Sequence, residues 1–399
     1  MNTDLAEIDL TDPSWFAEGP PHELFARMRA EAPVRWNPSA DGPGFWSLTR
    51  AADLAAVSKD AHTFSSHRGG IWLREDTLAP LDLARNLMIF KDPPEHTRYR
   101  VILRSAFTPL TVAKLESAVR AQVVALLDAA VERGGMDAVE DLAVPVPLMV
   151  IASLLGVPDS DIPKLRDWTA RLDAGVADPA NTEGPAALGE MAAYLAALVP
   201  EQAEDADSLV AALHRAEVDG QRLTETEIVL FFGILVFAGN DTTRNATSGG
   251  LLALAEHPEQ FAALTGERIP NAVEEILRWT TPLNYFARTA TEDTEVGGRR
   301  IRAGERLVMW YASANRDSDA FPDPMRFDVT REPTTQHAAF GAGGRHFCLG
   351  AALARLELRV IFEEVVRRMG PPGLAGPVRR ASSIWVNGLA SLPLSCPPK

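Results

Sequence analysis

Cysteine is scarce. Cys348 and Cys396 are the only two in 399 residues, which excludes a disulfide framework and a zinc site of the Cys-x-x-Cys type, and suits a reducing compartment. Basic residues are also in deficit: 39 Lys and Arg against 54 Asp and Glu leave a formal charge of −15, which repels phosphate backbones and argues against nucleic acid or an anionic membrane as a general partner. Long apolar runs are missing. The longest, Ile228 to Ala238, falls short of the ~20 residues a bilayer span needs, so no membrane span is expected. Met1 to Asp12 is acidic, without the basic and apolar parts of an export signal, so a cytoplasmic location is the expectation. No internal repeat, low-complexity tract or composition break divides the chain. With 46% hydrophobic and 23% charged residues, near the globular average, one large domain over 1–399 is expected.

The elements that are legible are mostly helical, with small β-sheets. Val34–Trp36 and Phe45–Leu48, separated by Asn37, Pro38, Asp41, Gly42 and Pro43, read as an early hairpin. Thr108 and Pro109 read as N-cap and first residue of a helix running to Arg133 before Gly134. Thr224 and Glu227 form a capping box that opens a helix of about 32 residues, stopped by His257 and Pro258. Its middle, IVLFFGILVFAGN, is apolar on every side, which in a soluble protein places it through the interior. Thr294–Ile301 reads as a hairpin about Gly297 and Gly298, followed by a strand at Leu307–Tyr311. A long irregular stretch, Asp317–Gly344, leads to a last helix at Leu349–Met369.

Three clusters carry chemistry. Cys348 lies in FGAGGRHFCLG, just before a helix whose N-terminal N–H groups and partial positive charge favour a thiolate. A lone Cys is most often a small buried hydrophobe, but Gly341, Gly343, Gly344 and Gly350 let backbone approach a large flat group. The second cluster is AGNDTT, Ala238–Thr243, inside the interior helix. A buried Asp241 is costly unless paired or functional, and Thr242 can bond back to a carbonyl and loosen the helix. The third is EEILR, in which Glu275 and Arg278 are three apart and share a helix face. His96 and Arg100 in DPPEHTRYR also share a face, yet no H-x-x-x-H exists to suggest a metal site of that kind. Neither a dinucleotide-binding G-x-G-x-x-G nor a G-x-S-x-G elbow is present.

Over nearly its whole length the chain resembles the cytochrome P-450 family of haem-thiolate monooxygenases. Phe340, Gly344, His346, Cys348 and Gly350 match the family signature, although Phe340 to Cys348 spans eight positions where seven is usual. The resemblance implies haem b, with Cys348 as axial ligand of the iron and Ala238, Phe340, Gly341 and Gly350 among the cofactor contacts. It implies that His96, Arg100, Arg288 in NYFARTA, and His346 contact the two haem carboxylates. Thr242 would hold dioxygen and Asp241 would feed protons in a dry pocket. Arg331 in FDVTR would close a structural lock with Glu275 and Arg278.

The resemblance also suggests a substrate pocket of Trp72, Leu87, Met88, Ile89, Ile234, Leu235, Leu283, Asn284, Phe286, Trp385 and Val386. That lining is apolar and favours a lipophilic molecule. AGNDTTRN and the longer cysteine loop look like bacterial branches acting on sterols, branched lipids or terpenoids, while tailoring of a polyketide or peptide product stays open. Other classes to separate are a peroxide-driven peroxygenase and a non-enzymatic haem carrier or sensor. Only 51 residues follow Cys348, so electrons are expected from a separate ferredoxin and ferredoxin reductase. Arg345, Arg355, Arg359, Arg367 and Arg368 are expected to dock the ferredoxin, a solvated face with Glu357, Glu363 and Glu364 being the alternative.

Overall fold

The interior helix, Glu225–Glu256, begins and ends where local chemistry dictates. In the computed structural model, which describes residues 4–39, 42–73, 81–106, 109–177, 181–203, 209–218, 220–332 and 336–399, the Thr224 hydroxyl accepts from the Glu227 N–H at 3.2 Å. The Glu227 carboxylate in turn accepts from the Thr224 N–H at 2.7 Å, so two otherwise orphaned donors are satisfied. His257 and Pro258 end the ladder. A segment apolar all round needs cover. Helices Pro145–Leu155, Ile162–Ala177, Glu183–Ala203, Ile269–Thr280 and Ala351–Arg368 supply it on most sides. By length and hydropathy this helix would also pass for a membrane span; here five helices of the same chain pack against it.

Two apolar cores meet along it. Ile228, Phe231, Phe232 and Val236 belong to one, and Ala246, Leu251, Leu252 and Leu254 to the other. Asn240, Asp241, Thr243 and Asn245, all buried, fall at the seam between them. Gly250 lets three helices close tightly, because a Cβ there would stand 2.7 Å from both Ile276 Cγ2 and Phe362 Cζ.

The main sheet has five strands in the order Val34–Ser39, Gly42–Leu48, Arg306–Trp310, Tyr285–Ala290, Phe64–Ser65. Arg306–Trp310 runs parallel to Gly42–Leu48 and antiparallel to Tyr285–Ala290, with Leu307 opposite Arg288 and Met309 opposite Phe286. Strand alternation therefore puts Phe286 and Arg288 on one face. The hairpin Thr294–Val296/Arg299–Ile301 turns at Gly297 and Gly298, both at positive φ, as a two-residue turn of the primed kind requires.

The mainly helical architecture with small sheets matches the expectation, and some boundaries differ. The helix expected from Pro109 to Arg133 is two, Pro109–Lys114 and Glu116–Arg133, because Leu115 donates to Val112 three residues back, a tighter step that interrupts the α ladder. Its expected cap Thr108, and Asp41 of the early turn, lie outside the described residues. The strand placed at Leu307–Tyr311 is Arg306–Trp310, and Tyr311 opens a short helical turn. The last helix spans Ala351–Arg368.

Candidate active site around Cys348

Cys348 stands two residues before Gly350, the N-cap of Ala351–Arg368, in a loop closed on itself: its N–H donates to Phe340 O at 2.9 Å. Gly341, Gly343 and Gly344 have φ of +93°, +87° and +79°, the region that side chains resist. Their tasks differ. A Cβ on Gly344 would stand 2.2 Å from Ser58 O, and the Ser58 hydroxyl donates to Gly343 O at 2.7 Å, so this pair seats the loop on helix Ala51–Lys59. Gly341 backs onto His346 and Phe347, and Gly350 leaves open the space beside the sulfur, where a Cβ would lie 4.0 Å away. The sulfur is walled in by protein yet keeps uncovered surface, so it borders internal space. Burial pushes its thiol above the usual value, and the Gly350 N–H, Arg100 and Arg355 pull the other way without prevailing. The lowering expected from the helix N-terminus is thus outweighed in the free thiol, although the groups that favour a thiolate are in place.

Four cationic or donor side chains gather nearby from three elements. His96 and Arg100 come from helix Glu95–Ala106, Arg288 from its strand, and His346 from the cysteine loop. The rings of His96 and His346 are 4.0 Å apart, and Ser66 Oγ lies 3.3 Å from His346 Nε2. Burial, with Arg100 and Arg288 close by, holds His96 down to about 4; burial and Arg288 hold His346 well below its usual range, so both rings are neutral at pH 7. Arg288 is buried and donates to Ala287 O at 2.7 Å. Among the described residues no carboxylate stands in ion-pair reach of Arg100 or Arg288, and Asp92 is committed to Ser65 and Ser66. Buried positive charge without a partner calls for an anion. The His96 Nδ1 atom is likewise sealed and unpartnered.

The interior helix passes this region with one face uncovered. Ala238 is exposed in the middle of a packed helix, and Ile234, Leu235 and Thr242 are half-covered, a stripe of helical period along the same internal space. Thr242 Oγ1 donates back to Ala238 O at 2.9 Å, as its position suggested. Asp241 is one residue away and turns elsewhere. Its carboxyl is sealed, 3.1 Å from Arg244 Nη2, which also reaches Asp173 of helix Ile162–Ala177 at 3.0 Å. Burial, then the adjacent Asp173 carboxyl, raises Asp241 well above the usual carboxylate range, which favours its protonated form.

The residues proposed for the pocket converge in one apolar cluster: Trp72, Trp385 and Val386 are buried in it, and Leu87, Met88, Ile89, Ile234, Leu235, Leu283 and Phe286 pack against it. Asn284 is buried too, and its N–H and side-chain amide donate to Trp385 O at 2.8 Å and Ile384 O at 2.9 Å, tying two chain segments. Trp385 meets Trp72 edge-on at 5.9 Å and stacks on Phe237 at 5.8 Å. Phe237 escaped the sequence reading, though its place one turn before Asp241 would have suggested it. Asp173, 68 positions before Asp241, had no local signal at all.

The expected lock is formed. Arg278 Nε and Nη2 each reach Glu275 at 2.7 Å, Arg331 Nε reaches it at 3.1 Å, and the Asp328 N–H donates to it at 2.9 Å. Arg278 and Arg331 also hold carbonyls of Asn315, Pro322, Asp323, Pro324 and Arg326, which is how the irregular stretch before Cys348 keeps one shape.

The basic docking surface needs correction. Arg355 is paired with Glu274, Arg359 with Glu116 and Glu363, Arg367 with Glu364, and Arg368 with Asp128 and Glu364. Of the five, only Arg345 is without an ion pair among the described residues. The alternative fails in part as well, since Glu357 and Glu364 are buried rather than solvated. Helical spacing accounts for the pairs with Glu363 and Glu364, but it could not reveal that Glu116, Asp128 and Glu274 arrive from distant segments to neutralise the rest.

A cytochrome P450 family model matches residues 191–268 and 269–369. A steroid C26-monooxygenase of Rhodococcus jostii is 38% identical over 393 residues, covering 96% of this chain and 83% of that one. A methyl-branched lipid omega-hydroxylase of Mycobacterium bovis is 38% identical over 392 residues, covering 93% and 90%. Among solved structures, CYP108D1 of Novosphingobium aromaticivorans has a TM-score of 0.89 at 32% identity, covering 97% of both chains. CYP268A2 of Mycobacterium marinum, in complex with pseudoionone, has 0.87 at 36%, covering 99% of both. The chain belongs to the cytochrome P450 family. It is a haem-thiolate monooxygenase, not a haem carrier, and its cofactor is haem b. The unpartnered cations, the sulfur bordering internal space and the bare stripe on the interior helix fit that group: an anionic edge, a metal and a flat face each meet a counterpart.

Proposed function

We propose that this enzyme hydroxylates a sterol or a methyl-branched lipid with dioxygen, attacking an unactivated C–H bond near the end of an alkyl chain. The observation that carries this reading is the pocket wall, in which Trp72, Phe237, Phe286 and Trp385 interlock by ring contacts and pack with Leu87, Met88, Ile89, Ile234 and Leu235. Such a wall selects by burial and shape, at about 25 cal/mol per Å² of apolar surface removed from water. Two relatives, named for C26 of a steroid and for the omega end of a methyl-branched lipid, agree in the kind of carbon attacked.

In this reading Cys348 would ligate the iron, His96, Arg100, Arg288 and His346 would hold the two carboxylates, and Ala238, Phe340, Gly341 and Gly350 would border the cofactor. Bound haem supplies the dioxygen chemistry, and a thiolate ligand pushes electron density that favours O–O cleavage. Thr242 presents a hydroxyl at the uncovered helix face, and Asp241, pushed toward its protonated form by burial, supplies a proton one residue away. The aromatic wall excludes water. Electrons come from a separate ferredoxin and its reductase in the cytoplasm, docking at the groove between Val112, Val273, Ala352 and Leu356, beside the cysteine helix.

An optical titration of the ferric protein with steroids, methyl-branched lipids, linear fatty acids and macrolides tests the substrate class. Displacement of the iron-bound water by the first two, and dioxygen-dependent terminal hydroxylation in the presence of ferredoxin, reductase and NAD(P)H, are the expected results. A response confined to macrolides would overturn the assignment, and product formed only with peroxide would overturn the dioxygen mechanism.

A further inference from the structure

Asp241 has no route to solvent through its own helix. Both of its carboxyl oxygens are sealed, and its side chain is 5% exposed. Two groups face it, and both belong to one assembly. Arg244, one turn on, lies 3.1 Å from Asp241 and 3.0 Å from Asp173, and the Asp173 carboxyl stands against that of Asp241. Asp173 is the more open member: its side chain is 23% exposed, with Oδ1 sealed and Oδ2 on Arg244. The other elements packed here add little charge. Pro145–Leu155 has none in its sequence; Glu140, just before it, acts on Arg244 and is paired with Arg166; Glu190 of Glu183–Ala203 is held by Arg171 and Trp168.

Asp241 and Asp173 share one guanidinium, and the Asp241 carboxyl is sealed from water, so burial and the neighbouring carboxyl together favour a proton on Asp241. We propose that Asp173 is the solvent-side member of a two-carboxyl proton relay, taking a proton from water and passing it to Asp241, with Arg244 holding the pair in register. This rests on the reading that Asp241 supplies protons to the reaction. Each transfer breaks an O–H bond on the donor and forms one on the acceptor: from a pair carrying one proton on Asp241 and a charge of −1, hydronium protonates Asp173 and brings the pair to zero, Asp241 delivers its proton and returns it to −1, and the proton on Asp173 then passes to the vacated Asp241. Asp173 is a positioning and relay residue, since it touches no reacting atom. Burial raises Asp241 well above its usual range, and the neighbouring carboxyl adds to the rise, which supports the shared proton.

The test uses the holoenzyme and two readouts. Infrared difference spectroscopy over a pH series is expected to show a protonated carboxyl at neutral pH that is absent in Asp241→Asn. In Asp173→Asn its titration midpoint moves to lower pH, because a like charge has been removed; an unmoved midpoint overturns the proposal. In turnover, Asp173→Asn is expected to slow the reaction on the order of tenfold, with a larger solvent isotope effect, and Asp173→Glu to restore most of the rate. A full rate in Asp173→Asn beside a slowed Asp241→Asn overturns this relay alone. A full rate in Asp241→Asn overturns the role of Asp241 and the relay with it.

Discussion

Replacing Glu275 by Ala puts the lock to a quantitative test. Arg278 is fully buried and Glu275 is 1% exposed, so the substitution leaves a guanidinium in the interior facing three carbonyls and no anion. Removing one partner of a buried pair costs about 3–5 kcal/mol, mostly the penalty of the charge left behind. Arg331 and the Asp328 N–H lose their acceptor as well. Against a net stability of about 5–15 kcal/mol for a typical domain, this is a large share. Arg331→Ala is the internal control: it leaves the Glu275–Arg278 pair intact and is expected to cost about 1–3 kcal/mol. Urea unfolding followed by tryptophan fluorescence reports the stability, and the thiolate-haem absorbance reports the cysteine loop. Both should fall together in Glu275→Ala, since the lock holds the chain that leads to Cys348. A cost below about 1 kcal/mol, or one no greater than that of Arg331→Ala, would refute the reasoning.

Thr242→Ala should uncouple electron consumption from product, read as NAD(P)H used per product formed; unchanged coupling would remove the hydroxyl from its assigned role. Arg288→Leu should release hemin faster to a scavenging apoprotein, because a buried cation without a protein partner loses its task, and an unaltered release rate would count against carboxylate binding. Gly344→Ala should fail to retain haem, given φ +79° and a Cβ 2.2 Å from Ser58 O. Gly298→Ala, at φ +75° with open space around it, should cost only about 1 kcal/mol of backbone strain in thermal melts. Burial pushes Glu274 up, but hydrogen bonds from Arg355 and His337 overcome this and hold it at about 2. A depressed carboxylate stabilises the fold above its unfolded value of 4.5 and loses that contribution as pH falls toward 2. Stability measured across that window should therefore drop less steeply in Glu274→Gln than in the parent.

Some features were written in local spacing and needed no neighbours from afar. The Thr224–Glu227 box, the stop at His257–Pro258, the Gly297–Gly298 turn and the Glu275–Arg278 pair each involve groups within four residues, where helix and turn geometry alone fixes the distances. The glycine-rich loop and its cysteine were legible for the same reason. The resemblance to a family supplied what spacing could not: that Arg288, His96 and His346, far apart in the chain, come together.

Tertiary structure decided the rest. Whether Arg355, Arg359 and Arg368 form a docking face depended on where Glu274, Glu116 and Asp128 arrive from other helices, and they arrive as partners. Whether Asp241 faces the cavity or a second acid depended on Asp173, which only the packing of Ile162–Ala177 on the interior helix delivers. Whether Gly344 serves the cofactor or the fold depended on how near Ser58 comes. Periodicity fixes which face of a helix a side chain occupies, but the charge, burial and partner it meets there are set by elements tens of residues distant, and those contacts exist only once the chain has closed on itself.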